Sequence, residues 1–312
     1  MQAMLVCAGF GTRLAPLTDF LPKPAVPVAN RPLAWFAFDH LYRSGLRDFV
    51  VNTHHLPAEL RDALSPLVPN DARLRFVHEP EILGTGGGIR NAWRATADEP
   101  LLTMNGKLLF APELQRALDL HRDSDAIATM LLKPMPAGDT FSAVEIDSEG
   151  QVRRMLGEPT NVQGELRRMM YTGVQILSPR AFRDLPENGC VIRHSYRNWL
   201  ARGECVMGAV DDASFRDAGI SPRHYWEANQ SLLQAQEPWP GIHPDQHQNV
   251  VAPDVHVPSS TAVHQCAIGA GANIAPNLRL KRCIIWPSAT VSEDLTDTIV
   301  LPNGTQVAVS EP

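Results

Sequence analysis

Two cations and two glycine turns are the residues of this chain best suited to chemistry. Arg13 follows Gly9-Phe10-Gly11-Thr12, and Lys23 stands beyond it, braced as Pro22-Lys23-Pro24. A backbone without Cβ can turn sharply at Gly9 and Gly11 and approach a ligand closely. Turn N–H groups, a guanidinium and an ammonium together suit the oxygens of a polyphosphate. The second turn is Gly84-Thr85-Gly86-Gly87-Gly88, preceded by Glu79-Pro80-Glu81-Ile82-Leu83. Consecutive glycines at a helix start let backbone groups reach a flat ligand. A dinucleotide fingerprint needs a third glycine where Leu14 stands, and a P-loop needs Gly-Lys-Ser/Thr, which is absent. A dinucleotide-dependent oxidoreductase also needs a ribose-binding acid near the end of the second strand, where Asn52 and Thr53 stand.

The fuller string is more specific than its glycines. It comprises Ala8, Gly9, Gly11, Thr12, Arg13, Leu14, Pro16, Leu17, Thr18, Pro22, Lys23 and Pro24. It resembles the signature of the sugar-1-phosphate nucleotidyltransferases, the nucleotide-sugar pyrophosphorylases. Leu83 to Ile89 resembles that family's second loop, which closes on the base and ribose. The resemblance implies a nucleotide site from Ala8, Gly9, Gly11, Thr12, Arg13, Glu79, Gly84, Thr85, Gly86 and Asn105. It implies that Arg13 and Lys23 contact phosphates, and that Lys23 and Gly173, in Tyr171-Thr172-Gly173-Val174, face the sugar phosphate. Asn52-Thr53-His54-His55 resembles the strand end that borders the site. The implied reaction takes a nucleoside triphosphate and a sugar 1-phosphate to a nucleotide sugar and pyrophosphate. Guanylyl transfer to mannose 1-phosphate is the first expectation, from the loop at Gly84 alone.

One departure bears on mechanism. The family places an aspartate, a ligand of catalytic Mg²⁺, where this chain has Lys107 in Asn105-Gly106-Lys107. The second metal-binding aspartate is matched by Asp217, in Asp217-Ala218-Gly219. A unit charge and a dication about 4 Å apart interact by roughly 8 kcal/mol at an effective dielectric of about 20. Lysine turns that attraction into repulsion and supplies no oxygen ligand. Three placements of Lys107 are open: an ion pair with Asp217, a seat on the triphosphate, or an orientation away that leaves Asp217 and phosphate oxygens to hold the metal. Mg²⁺ is thus the implied cofactor, weakened or lost through Lys107. The alternative to an enzyme is a nucleotide-sugar-binding or regulatory subunit that has lost turnover. A second departure is Glu158, in Gly157-Glu158-Pro159, where many relatives carry lysine.

Composition narrows the partners. The chain has 312 residues and a net charge of -6, without a long basic run, which argues against nucleic acid. Its five cysteines are scattered without metal spacing, as expected of reduced thiols in a cytoplasm. No eighteen-residue apolar stretch suggests a membrane span, and the N-terminus does not read as a signal peptide. No Ser-His-Asp or Cys-His arrangement suggests a protein nucleophile.

The elements that must position these residues follow in order. Strands are expected at the start of the chain and over 48–52, 73–78, 100–105 and 126–132. Helices are expected after Asn30 (an N-cap, with Pro32 early in the helix), over 57–67, 88–95 and 113–121. This alternation predicts an α/β, Rossmann-like three-layer domain with a mostly parallel sheet and ligands beyond its carboxyl strand ends. From about residue 142 come a hairpin around 147–150, a strand at 171–177, a short helix at 179–182, a helix at 191–201 and a strand at 205–210. A closing helix from Ser221 to Gln236 follows. The domain is expected to span 1–236, a linker 237–249 and a tail 250–312. Apolar beats at Val251, Val257, Val263, Ile268 and Ile274, continued at Leu280, Ile285 and Val291, read as hexapeptide repeats of a short left-handed parallel β-helix. Such a tail serves packing or homo-oligomerisation, with its far end near 296–309 needing a cap or partner.

Overall fold

The computed structural model describes residues 1–93, 99–135 and 143–309. In chain order the elements are β1 (Gln2–Val6), β2 (Pro27–Val28), β3 (Arg31–Pro32), α1 (Leu33–Arg43), β4 (Asp48–Thr53) and α2 (Pro57–Leu64). Then come β5 (Arg73–His78), α3 (Gly84–Ala92), β6 (Leu101–Asn105), β7 (Leu108–Phe110), α4 (Leu114–Asp123) and β8 (Ala128–Pro134). The series continues with β9 (Val144–Ile146), β10 (Val152–Met155), β11 (Arg167–Leu177), α5 (Arg197–Ala201), β12 (Val206–Val210), β13 (Phe215–Asp217) and α6 (Pro222–Leu233). The expected end of the third helix at Ala95 and the change of pattern at Ser142 lie outside the described residues.

The chain divides into two compact units. The first comprises Met1–Gly9, Ala37–Gly106 and Phe110–Phe215, the second Phe10–Phe36, Lys107–Leu109 and Arg216–Pro312.

The first unit is built on a Rossmann-like, mostly parallel central sheet. β6, β1, β4 and β5 lie side by side and all parallel. The inner strands β1, β4 and β6 are buried on both faces, which is why they read as largely apolar runs. β5, at the sheet edge, alternates charged and apolar residues and is only partly buried. Ala3, Met4 and Leu5 of β1 and Phe49, Val50 and Val51 of β4 are fully buried. β11 runs antiparallel to β6, β8 and β9, and β8 pairs in parallel with β12. The hairpin expected around 147–150 is β9–β10. In register Val6 faces both Asn52 and Asn105, and Thr53 faces His78. The carboxyl ends of β1, β4, β5 and β6 therefore come together, carrying Ala8, Asn52, Glu79 and Asn105.

The second unit corrects one expectation. Asn30 does not cap a helix. Ala29 and Asn30 have φ of 45° and 61° and form the turn of the small hairpin β2–β3, so Pro32 ends a strand and α1 starts at Leu33. The Asn30 side chain instead donates to the carbonyls of Val250 (3.0 Å) and Ile268 (2.7 Å). The closing helix α6 is capped as expected, Ser221 Oγ accepting from the His224 N–H with Pro222 at the first position. Residues 237–249 are partly buried: Trp239 is 7 % exposed and packs edge-on against Phe36 at 5.1 Å.

The tail forms parallel ladders compatible with a β-helix. Val250–Val251 pairs with Ala267–Ile268, which pairs with Ile284–Ile285 and then Thr298–Val300. Ala262–His264 pairs with Arg279–Lys281 and then Leu295–Thr296, and Asn273–Ile274 pairs with Thr290–Val291. Successive layers are offset by 17 residues, falling to 15 at the last. Ile268, Ile274, Leu280, Ile285 and Val291 are buried in its core, with Val251, Val257 and Val263 packed partly against it. The last stretch, Gln306–Ala308, turns back antiparallel on Thr298–Val300 and so covers that sheet edge from within the chain. No helix among the described residues is long and apolar enough to cross a membrane.

Candidate active site

In the first unit the predicted residues are tied together by buried hydrogen bonds. Asn52, 1 % exposed, ends β4. Its Oδ1 accepts from the N–H of Cys7 (2.7 Å) and Ala8 (3.4 Å), where the chain leaves β1. Its Nδ2 donates to Glu79 Oε1 at 2.7 Å. Glu79 is fully buried, and its Oε2 accepts from the Leu83 N–H at 3.1 Å. The carboxyl group of Glu79 thus holds Asn52 and the start of the second glycine turn. Its backbone carbonyl accepts from His54 Nδ1 at 2.8 Å, so that nitrogen carries the proton. Burial pushes the Cys7 thiol well above its usual range, as suits a small core residue.

Sequence reasoning gave Asn52 no role. An amide at the end of the apolar run Phe49-Val50-Val51 was the available signal, because a buried amide needs partners.

The second glycine turn is itself helical, so α3 begins four residues before the expected Gly88. Its glycines make room for other parts of the first unit. A Cβ on Gly86 would lie 2.7 Å from Pro186 Cγ, and one on Gly88 would lie 2.6 Å from Glu79 Oε1. The N–H of Gly86 donates to the Gly189 carbonyl at 2.8 Å, and the Thr85 hydroxyl accepts from the Val191 N–H at 3.1 Å. Gly84 has φ +69°, with the Gly189 carbonyl oxygen 2.7 Å from where a Cβ would stand.

Asn105 and Gly173, expected to face different parts of the ligands, touch each other. Gly173 has φ +85°, and a Cβ there would lie 2.2 Å from Asn105 Nδ2. The ladder between β11 and β8 is irregular at this point, between Tyr171 and Gln175. Glu158 pairs with Arg197 at 2.6 Å, both half-exposed.

In the second unit Gly9's successor turn is short and compact. Gly11 is left-handed (φ +71°), and a Cβ there would lie 2.9 Å from Thr18 Cγ2 and 3.2 Å from Lys23 Cβ. Thr12–Leu14, Leu17–Asp19 and Lys23–Ala25 are single tight turns. Thr12 and Arg13 are exposed, while Lys23 is half-buried.

Lys23 Nζ donates to the Gly219 carbonyl at 2.7 Å. Lys107 Nζ donates to Asp217 Oδ2, an ion pair that takes the first of the three placements open to it. Asp217 Oδ1 accepts the Gly219 N–H at 2.9 Å. A Cβ on Gly219 would lie 2.7 Å from Lys23 Cδ and 3.3 Å from Lys107 Cβ, so both lysine stems pack against that glycine. Burial, together with repulsion from Lys107 and Arg13, lowers Lys23 to about 8; Asp217 opposes the shift.

This cluster does not fit the Mg²⁺ that the family implies. Mg²⁺ needs oxygen ligands. Lys107 stands in one ligand position as a cation, and both oxygens of Asp217 are engaged. Among the described residues no group of three or more His, Cys, Asp or Glu side chains is placed to hold a metal ion.

A family model for nucleotidyl transferases matches residues 2–235. The chain belongs to that family, as a sugar-1-phosphate nucleotidyltransferase. It is similar to the mannose-1-phosphate guanylyltransferase of Mycobacterium tuberculosis, 26% identical over 295 residues that cover 93% of this chain and 81% of that one. It is similar to the D-glycero-alpha-D-manno-heptose 1-phosphate guanylyltransferase of Aneurinibacillus thermoaerophilus, 27% identical over 238 residues, covering 74% and 98%. The crystal structure of HddC from Yersinia pseudotuberculosis complexed with GMP-PN has a TM-score of 0.58 at 22% identity. It covers 74% of this chain and 99% of that one, and carries the fold.

Proposed function

We propose that this protein transfers a guanylyl group from GTP to mannose 1-phosphate. The observation that carries the phosphate part of this reading is one cluster: Lys23 on the Gly219 carbonyl, within reach of the charges of Arg13 and Lys107, with Lys107 paired to Asp217. The guanine assignment is supported by both guanylyltransferases it resembles, and the mannose assignment by the one from Mycobacterium tuberculosis. An oxygen of the sugar phosphate attacks the α-phosphorus in line, the bond to the bridging oxygen breaks, and pyrophosphate leaves. No protein nucleophile is required, so catalysis is positioning and charge stabilisation. Arg13 and Lys23 take the phosphates of the nucleotide, and Lys23 and Gly173 are each assigned to the sugar phosphate. Ala8, Gly9, Gly11 and Thr12 take the nucleotide's phosphate end, and Gly84, Thr85, Gly86, Glu79 and Asn105 its nucleoside end. Glu79 acts there through Asn52 and Leu83. The setting is the cytoplasm.

The test is pyrophosphate release from GTP, UTP, dTTP and ATP, each with mannose, glucose and heptose 1-phosphates. GTP with mannose 1-phosphate is expected to be fastest; a clear preference for another pair would replace the substrate assignment. A second reading, a binding or regulatory subunit without turnover, is favoured by the Lys107–Asp217 pair. It is adopted if nucleotide sugars bind but no pair releases pyrophosphate.

The tail's ladders and buried beats support a short left-handed β-helix of hexapeptide turns that packs on α6 and serves self-association. A monomer by light scattering at working concentration would remove the second role.

A further inference from the structure

We infer that Lys107 supplies the positive charge that a divalent cation would otherwise bring, so that this protein binds its nucleoside triphosphate free of metal. The inference rests on the proposed function and concerns only how the phosphates are held. The charge count is its first support. Arg13, Lys23 and Lys107 against Asp217 leave two net positive charges. An aspartate at position 107 would leave none, and one bound dication would then restore two. The cluster is therefore charged in advance as the family's metal-loaded one would be.

Geometry is the second support. The Lys107 ammonium sits on Asp217 Oδ2, the atom a metal would need, and the Gly219 N–H occupies Oδ1. The glycine at 219 brings both lysine stems onto one spot. A dication arriving with the triphosphate meets the Lys107 charge at short range and finds both oxygens of Asp217 already engaged. The free triphosphate, with its full negative charge, is the better ligand for such a cluster.

Calorimetric titrations with GTP, UTP, dTTP and ATP test this, each run once in EDTA and once in excess Mg²⁺. The best triphosphate is expected to bind in EDTA at least as tightly as with Mg²⁺. Lys107→Asp is expected to lose about tenfold or more in EDTA and to regain it with Mg²⁺. Lys107→Met, which removes the charge without adding a ligand, is expected to lose affinity in EDTA and gain none from Mg²⁺. Electron paramagnetic resonance of Mn²⁺ with the proteins alone gives a readout without nucleotide: Lys107→Asp depletes the free-ion signal and the native protein does not. Native binding that improves about tenfold or more with Mg²⁺ overturns the inference and leaves the proposed function standing. Binding of no triphosphate in either buffer overturns both.

Discussion

Asn52 donates its side-chain N–H to the buried Glu79 carboxyl at 2.7 Å, and through that bond the end of β1 is fastened to the start of α3. Glu79→Ala strands the Asn52 amide and the Leu83 N–H without a partner. The expected cost is about 2–4 kcal/mol, read as a lower urea midpoint at unchanged slope. Glu79→Gln keeps one acceptor but sets an amide N–H against the Leu83 N–H, and is expected to cost less. A Glu79→Ala protein of native stability would show that these bonds do not hold the strand ends.

Gly173 stands where the packing leaves no room for a side chain. Its φ of +85° disfavours any side chain, and a Cβ would run into Asn105 Nδ2. Gly173→Ala is expected to lose about 2 kcal/mol or more and to displace Asn105. A thermal midpoint within a degree of the native one would contradict the packing described.

Much of this arrangement was legible in the residues. Apolar runs marked β1, β4 and β6, and the strand-to-helix alternation placed the first glycine turn, His54-His55, the Gly84 turn and Asn105 at carboxyl strand ends. Asn30 was misread because an asparagine before a helix suits an N-cap as well as a left-handed turn, and only its distant partners Val250 and Ile268 decide between them. The helical state of Gly84 to Gly87 was hidden by glycine's poor helix propensity, which packing against residues 186–189 overrides. The Lys107–Asp217 pair joins positions 110 apart, and no local signal selects among the placements open to a lysine.

Lys23 makes ligand affinity depend on pH. Its folded pKa is depressed to about 8 from the ordinary 10.5, so above about 8 the unliganded protein loses this charge. A bound triphosphate favours the protonated form, so binding takes up a proton. Affinity is expected to fall by up to about tenfold per pH unit above 8. Lys23→Arg should flatten the profile, and Lys107→Met should move it to higher pH by removing the largest charge repulsion. For folding the sign is opposite. Between about 8 and 10.5 the unfolded chain binds more protons, so this group's contribution to stability rises with pH across that window. A flat native binding profile from pH 7 to 10 would contradict the assignment of Lys23 to phosphate.

Tyr225 links α6 to two other parts of the second unit. Its hydroxyl donates to the Pro27 carbonyl and accepts from Trp286 Nε1 at 3.0 Å, all buried. Tyr225→Phe leaves both partners unpaired and is expected to cost about 1–3 kcal/mol. Hydrogen exchange should show faster opening of the tail around Trp286. Unchanged protection there would mean that the tail holds itself in place without α6.

The central claim is that a triphosphate is gripped by the guanidinium of Arg13 and the ammonium of Lys23. Its most direct test is the GTP affinity of the Arg13→Ala, Lys23→Ala double variant against that of the native protein, by calorimetry at pH 7. Each charged hydrogen bond to phosphate is worth about 1.5–3 kcal/mol, so a loss of about a hundredfold or more is predicted. A correctly folded double variant that binds GTP with native affinity would contradict the account.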